Sequence, residues 1–426
     1  MNAEIIAIGD EITSGQLLDT NTQWLSQRIE QIGIRVLYHT TVGDELQPCA
    51  DVFRRAIERA DLIVITGGLG PTADDLTREA LAEATDRPLQ FSEEALRHIQ
   101  RLFARFNKKM PERNQRQAYF PADARIVHNP NGTAPGIDLT IDRSQEHGDR
   151  GPCRVFALPG VPAEMKEMWE TSVGGAINAF GGGHRVICRK RINCFGAGES
   201  QIESMLPDMI RRGRKPTVGI TASQASIILR IVAEGPTEAD CIAAIGPAEA
   251  IIRECLGKLV YGEDDVQLQD AVGELLRGKE ATLATVEWGT AGLIASWLNG
   301  TPHARDVYRG GLVVPSERAL GSVLGIDVPS PLVETSDEDL ARGMAAACRD
   351  RFGTDYGLSI GRFPTVTSTR AKPENVCFAL ATPGHVVVRK APFVGHPALI
   401  KVLNAKRALD MLRLALLEPG ERKSDP

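Results

Sequence analysis

Apolar and polar positions along the first third of the chain fall into blocks that predict alternating strands and helices. Glu4–Ile8 is an apolar, β-branched run ending at Gly9 and reads as a buried strand. Asp19–Gln31 reads as a helix, with Asp19, Thr20 or Asn21 available to cap its start and Gly33 its end. Ile34–Val42 returns to a strand, Leu46–Ala60 to a helix and Leu62–Thr66 to a third strand. Such alternation at short spacing is the signature of a doubly wound parallel sheet. Further on, the pattern predicts a helix over 74–85, mostly helical structure over 91–119, and strands at Ile137–Asp142 and Val155–Leu158. Polar, Gly-containing Arg143–Pro152 reads as a surface loop, and Pro162–Glu170 as a short helix after a Pro-Gly turn.

Gly181-Gly182-Gly183 interrupts this pattern. From His184 to Gly262 the order becomes strand, helix, strand, helix, strand, with Ser226–Ala233 alternating clearly, as in a small α+β domain. Glu263-Asp264-Asp265 marks a second boundary, after which helix and strand mix again to about Glu418; the polar tail Pro419–Pro426 is expected to fray. The expected domains are therefore 1–175, 184–262 and 266–418, an α/β chain of three domains. A length of 426 residues accommodates them at roughly 100–200 residues per domain.

Composition narrows the function classes. Hydrophobic residues make up 42% and charged residues 24%, ordinary for a globular protein. The net charge of -6 offers no basic excess that would make nucleic acid the main partner. Eight scattered cysteines without a C-x-x-C pair argue against a zinc site and a disulfide framework, and point to the reducing cytoplasm. Asn2-Ala3-Glu4 after Met1 is no signal peptide, and no run of about 18 apolar residues predicts a membrane span.

The most informative segment is TGGLGPTADDLT at Thr66–Thr77, between a buried strand and a helix. Glycines there let successive backbone N–H groups curl into an anion-binding nest, and the helix N-terminus adds favourable dipole charge. Asp74 and Asp75 would repel phosphate unless a divalent cation lay between. The structural alternative is that Asp74 caps the helix and Asp75 is an ordinary first-turn carboxylate. Three further Gly/Pro loops can converge on the same sheet edge: GDEITSG at 9–15, NGTAPG at 131–136 and LPGVPAE at 158–164.

In GDEITSGQLLDTN, TGGLGPTADDLT, NGTAPG and LPGVPAEM the first 172 residues resemble the N-terminal domain of the CinA family, which is similar to the molybdopterin-binding fold of molybdenum-cofactor enzymes. The resemblance implies ADP-ribose pyrophosphatase activity assisted by a divalent metal (Mg, Mn or Co), with potassium a further candidate. It implies that Gly67, Gly68, Gly70 and Thr72 hold a phosphate, that Asp10, Asp74 and Asp75 coordinate metal and activate water, and that Glu164 is a lesser candidate for that work. Asn131 and Thr133 would contact ribose or phosphate, and Gly160 would lie against the substrate. A homodimer is also implied, with a small-molecule nucleotide diphosphate as partner.

Residues 184–262 resemble the KH-like linking domain of longer CinA proteins. Their basic clusters, Arg185, Arg189, Lys190, Arg191 and Arg211, Arg212, Arg214, Lys215, could meet RNA, yet no G-x-x-G clamp occurs between His184 and Tyr261. A solvated face is the expected role. Residues 266–418 resemble the CinA C-terminal domain, whose family activity is nicotinamide-mononucleotide deamidation. Its motif E-S-C-T-G-G reads Glu287-Trp288-Gly289-Thr290-Ala291-Gly292 here, so Trp288 stands in place of the nucleophilic serine. Pro315 and Leu320 replace the assisting tyrosine and lysine, and Pro397 the arginine of a late G-D-R motif. The Gly-rich T-G-x-A-G-P loop reads Ser359–Pro364. Ser296, Ser316 and Ser359 have no His/Asp partner at a recognisable spacing, and His303, His385 and His396 read as surface or packing residues.

The leading expectation is a cytoplasmic, metal-dependent nucleotide-diphosphate hydrolase with an inactive deamidase-like domain. Two rivals stand beside it: a pterin nucleotidyl transferase on the same fold, and a non-catalytic nucleotide-binding scaffold.

Overall fold

The computed structural model describes residues 1–105, 107–143, 151–181, 185–206, 208–211, 213–326, 336–364 and 374–418. The chain divides into two compact units, one of residues 1–188 with 234–242, the other of residues 189–233 with 243–426.

In the first unit the strands are β1 (Asn2–Ile8), β2 (Arg35–Val42), β3 (Leu62–Thr66), β4 (Leu89–Phe91), β5 (Tyr119–Pro121), β6 (Arg125–Val127), β7 (Gly136–Ile141) and β8 (Cys153–Leu158). Six of them form a sheet in the order β2-β1-β3-β8-β7-β6, while β4 and β5 pair separately. The strands β2, β1, β3 and β8 run parallel. Every residue of β3 is buried, which explains its unbroken apolar run: helices cover both faces of a parallel sheet. One apolar layer packs Phe53 and Leu81 against Ile63 and Ile65; the other packs Leu25, Met165 and Trp169 against Ile5 and Val64.

The purely parallel expectation needs correction at one edge. Strand β7 pairs antiparallel with β8, and β6 antiparallel with β7. Only eleven residues, 142–152, separate β7 from β8, fewer than the dozen or more that a parallel crossover requires. The loop expected between them lies largely at 144–150, outside the described residues, but Arg143 at its start is 2% exposed rather than on the surface. Its guanidinium donates to the carbonyls of Ile57, Ala60 and Gly151 and to Asp61. The helix expected from Asp74 begins only at Thr77, because Asp75 binds the preceding loop instead.

The second four-stranded sheet contains β9 (Val186–Cys194), β10 (Thr217–Ser223), β11 (Ser226–Gly235) and β12 (Val260–Glu263), in the order β10-β11-β9-β12. One strand more is present than the sequence pattern predicts. Gln224 and Ala225 both take positive φ, 48° and 58°, and turn β10 directly into β11 as a two-residue hairpin. Three of the basic residues here pair with carboxylates: Lys190 with Glu263, Arg191 with Asp265 and Arg185 with Glu234. Arg212 lies outside the described residues.

The third sheet has the order β14-β13-β15-β16-β17, from β13 (Leu283–Glu287), β14 (Tyr308–Val313), β15 (Tyr356–Ile360), β16 (Asn375–Ala381) and β17 (Val386–Pro392). The helix Pro397–Leu417 packs Ala405, Leu409 and Leu412 on one face, against Leu358 and Phe378. The helix Asp337–Phe352 covers the other, with Met344 against Ala284 and Val286. Lys406, 4% exposed within the first of these helices, donates to the Ser226 hydroxyl at 2.7 Å. No helix among the described residues is long and apolar enough to cross a membrane.

Candidate functional site

Loops gathered at one end of the N-terminal strands enclose a cavity of about 430 Å³. Gly9 and Glu11 follow β1, Gly67–Pro71 follow β3, Pro159–Val161 and Glu164 follow β8, and Thr133 and Ala134 precede β7. Buried Asn21 ties two of these loops together. Its Nδ2 donates to the Thr66 hydroxyl at 3.0 Å and to the Gly160 carbonyl at 2.8 Å.

The glycine loop is organised from within. The Asp75 carboxylate folds back onto the loop itself. It accepts the Gly70 N–H at 2.7 Å, the Thr72 N–H at 2.8 Å and the Thr72 hydroxyl. The Gly67 N–H is also engaged, by the Leu158 carbonyl at 3.1 Å. Of the expected phosphate holders, Gly67, Gly70 and Thr72 are therefore already bonded, and Thr72 does not line the cavity. Among the described residues the N–H groups of Gly68 and Leu69 have no acceptor, so the open part of the nest lies there. Gly68 has φ 63°, and a side chain on it would run into the Thr77 hydroxyl. Behind the loop, buried Arg78 donates to the Leu69 and Gly70 carbonyls. Burial pushes its guanidinium down to about 10.

The carboxylates are arranged differently from the expected Asp10, Asp74, Asp75 set. Asp10 and Asp44 are locked reciprocally: Asp10 N–H donates to Asp44 Oδ2 at 2.9 Å, and Asp44 N–H to Asp10 Oδ1 at 3.1 Å. Asp44, not Asp10, lines the cavity, together with Glu11, Asp74, Asp75 and Glu164. Burial pushes the Asp44 carboxyl up; the Asp10 N–H pulls it down, and the charges of Asp10, Glu11 and Asp74 push it up further. Asp74 is exposed and held low by the Thr72 hydroxyl and its own backbone N–H. Among the described residues no three His, Cys, Asp or Glu form a ready metal site. Magnesium sites need no such cage when a phosphorylated substrate supplies the remaining oxygens. The mutual repulsion at Glu11, Asp44 and Asp74 is what a cation would relieve, so these residues fit one in the presence of a diphosphate.

Asn131 does not enter the cavity. Its Nδ2 donates to Glu167 at 2.6 Å. The residue that shapes this loop is Asn129, which is buried. Its Nδ2 donates to Glu164 Oε2 at 2.8 Å and to the Ala134 carbonyl at 3.0 Å, and its Oδ1 accepts from the Gly132 N–H at 2.8 Å. Sequence reasoning placed Glu11 at this sheet edge but missed Asn129, Asp44 and Gln117. Asp44 had a usable signal, since it follows β2 beside β1 at the same sheet edge.

In the C-terminal domain the position of the missing nucleophile is filled. Half-buried Trp288 packs with Leu320 and Val286 in one apolar cluster, and its backbone N–H donates to the Ile360 carbonyl at 3.1 Å. Phe363 lies directly over Gly289, where any side chain would collide with its ring. Glu287 is fully buried and accepts from the Thr290 hydroxyl and from the Ile294 and Ala295 N–H groups. Pro397 begins a helix capped by His396, and Pro315 is exposed. Ser316 caps a helix, Ser359 donates to the Ala341 carbonyl, and His303 pairs with Glu274 at 2.6 Å. Each of these side chains has a structural partner.

Comparison with known proteins agrees with this three-part organisation. Residues 4–179 match the family described as a probable molybdopterin binding domain. Residues 189–262 match the damage-inducible protein CinA KH domain, and residues 265–416 the CinA C-terminal domain. A competence-damage inducible protein of Symbiobacterium thermophilum is 36% identical over 390 residues, covering 90% of this chain and 89% of that protein. One from Clostridium perfringens is 35% identical over 421 residues, covering 98% of this chain and 99% of that protein. The crystal structure of the protein CinA with unknown function from Thermoplasma acidophilum is similar at 32% identity, covering 41% of this chain and 96% of that chain, with a TM-score of 0.36.

Proposed function

The chain belongs to the CinA family of competence-damage inducible proteins, and from that premise we propose that its N-terminal domain is a metal-dependent hydrolase of a nucleotide diphosphate, with ADP-ribose the favoured substrate. The observation that carries this reading is the gathering of strand-end loops around one cavity lined by both free N–H groups and carboxylates. The Gly68 and Leu69 N–H groups would hold a phosphate oxygen. Glu11, Asp44 and Asp74 would hold a divalent cation, which supplies charge neutralisation for the diphosphate. Asp44 would also accept the proton of the attacking water. Asp10 positions Asp44, Asp75 holds the glycine loop, and Asn129 positions Glu164. Water would add to one phosphorus of ADP-ribose as the bridging P–O bond breaks and the other phosphate departs with its oxygen, giving AMP and ribose 5-phosphate.

We propose no deamidase activity for the C-terminal domain. The supporting observation is Trp288 in the apolar cluster, with no hydroxyl at that position. The working form we propose is a cytoplasmic homodimer, for which analytical ultracentrifugation is the test.

The deciding experiment incubates the purified protein with ADP-ribose, potassium and magnesium, manganese or cobalt, and follows AMP by chromatography. Metal-dependent AMP release that disappears in Asp44→Asn and Asp74→Ala supports the reading. ADP-ribose binding without turnover would instead favour a nucleotide-binding scaffold.

A further inference from the structure

Within the second unit, β17, the helix Pro397–Leu417 and the segment Phe195–Gly198 line a cleft of about 480 Å³. That volume is in the range of small-molecule sites. Phe195, Phe378, Leu403 and Met411 supply apolar wall. Arg389, Lys390 and Arg407 line it too, and Asp410 is the one carboxylate among its lining residues.

Among the described residues the charges of this cleft do not cancel. Asp410 is taken by Arg413, through Nε at 2.8 Å and Nη2 at 2.6 Å. Lys390 is taken by Glu338 at 2.8 Å. Arg407 has only neutral acceptors: its Nη1 donates to the Pro392 carbonyl at 3.0 Å and to Asn404 Oδ1 at 3.1 Å. Arg389 has no ion-pair partner among the described residues, although its charge reaches Asp410. Burial pushes the Arg407 guanidinium below its usual range. A partly desolvated cation served only by neutral groups is costly, and an anion between two guanidinium forks relieves that cost through charge-assisted hydrogen bonds.

We propose that this cleft binds a small amphipathic anion, its phosphate or carboxylate head between Arg389 and Arg407 and its apolar body against Phe195, Phe378 and Leu403. A bare inorganic anion would leave the apolar wall uncovered, and an uncharged ligand would leave the guanidinium groups without a counter-charge. The site is separate from the N-terminal cavity and does not depend on the hydrolase reading.

Isothermal titration calorimetry of the full chain with phenyl phosphate and with octanoate tests this. One or both probes should bind with about one site per chain, and the one that binds identifies the head group. Arg389→Gln and Arg407→Gln should each weaken binding about tenfold or more, as loss of a charge-assisted hydrogen bond does. Arg389 is exposed and, among the described residues, bonds to no other side chain, so its replacement leaves the fold intact and keeps the test valid even if Arg407→Gln is unstable. Absence of binding by both probes, or binding that both variants leave unchanged, overturns the proposal.

Discussion

Replacing Asp75 separates two roles that its position in the glycine loop would allow. In the structure its carboxylate is an internal brace, accepting two backbone N–H groups and one hydroxyl from residues 70 and 72. Asp75→Ala removes all three bonds and leaves both N–H groups to water. Hydrogen bonds to a charged group contribute about 1.5–3 kcal/mol each when shielded. The loop is partly solvated, so the lower end applies to the two backbone bonds, and the freed groups recover part of that from water. The net loss should be about 2 kcal/mol, or roughly 4–8 °C in Tm for a unit of this size. The kinetic expectation is a rise in KM for ADP-ribose larger than the fall in kcat, because a loosened loop presents the Gly68 and Leu69 donors less well. Asp75→Asn keeps one acceptor oxygen and should fall between the two. Thermal unfolding followed by circular dichroism, with steady-state AMP release, measures both effects. An unchanged Tm with kcat lowered more than about a hundredfold would refute the brace and return Asp75 to the chemistry.

Three other outcomes are expected. Asp44→Asn should raise Tm at neutral pH while abolishing AMP release, because it removes an ionised carboxylate crowded by Asp10, Glu11 and Asp74; a lower Tm would show that the crowding is not felt. Lys406 is held down to about 8 by burial, against an ordinary 10.5. Between those values the unfolded chain binds the extra proton, so stability should rise with pH across that window, and the rise should vanish in Lys406→Met when denaturant midpoints are compared. Trp288→Ser should cost about 2–3 kcal/mol from the partly buried apolar cluster and should release no ammonia from nicotinamide mononucleotide, measured by a coupled ammonia assay.

What the sequence disclosed and what it hid follow from the range of the interactions involved. Strands β1 and β3 are buried on both faces, so their identity is written in consecutive apolar residues. The reversed direction of β7 depends on how the chain connects to β8, which local pattern does not encode. The four loops of the candidate site were legible because each follows or precedes a strand at the same sheet edge. The duties of their carboxylates were not. Asp75 and Asp74 are adjacent and chemically equal, yet one folds inward onto Gly70 and Thr72 while the other stays exposed. Asn131 and Asn129 present the same difficulty: the first pairs outward with Glu167, and the second is buried beside Glu164. Only the folded loop decides which of two like residues turns inward.

The last helix also fastens the middle segment. Lys406 reaches Ser226, and Arg413 donates to the carbonyls of Lys258 and Val260. A gene truncated after residue 262 would strip Ser226, Lys258 and Val260 of these partners. The last helix therefore props up the preceding segment through bonds that do not depend on any chemistry of the C-terminal domain.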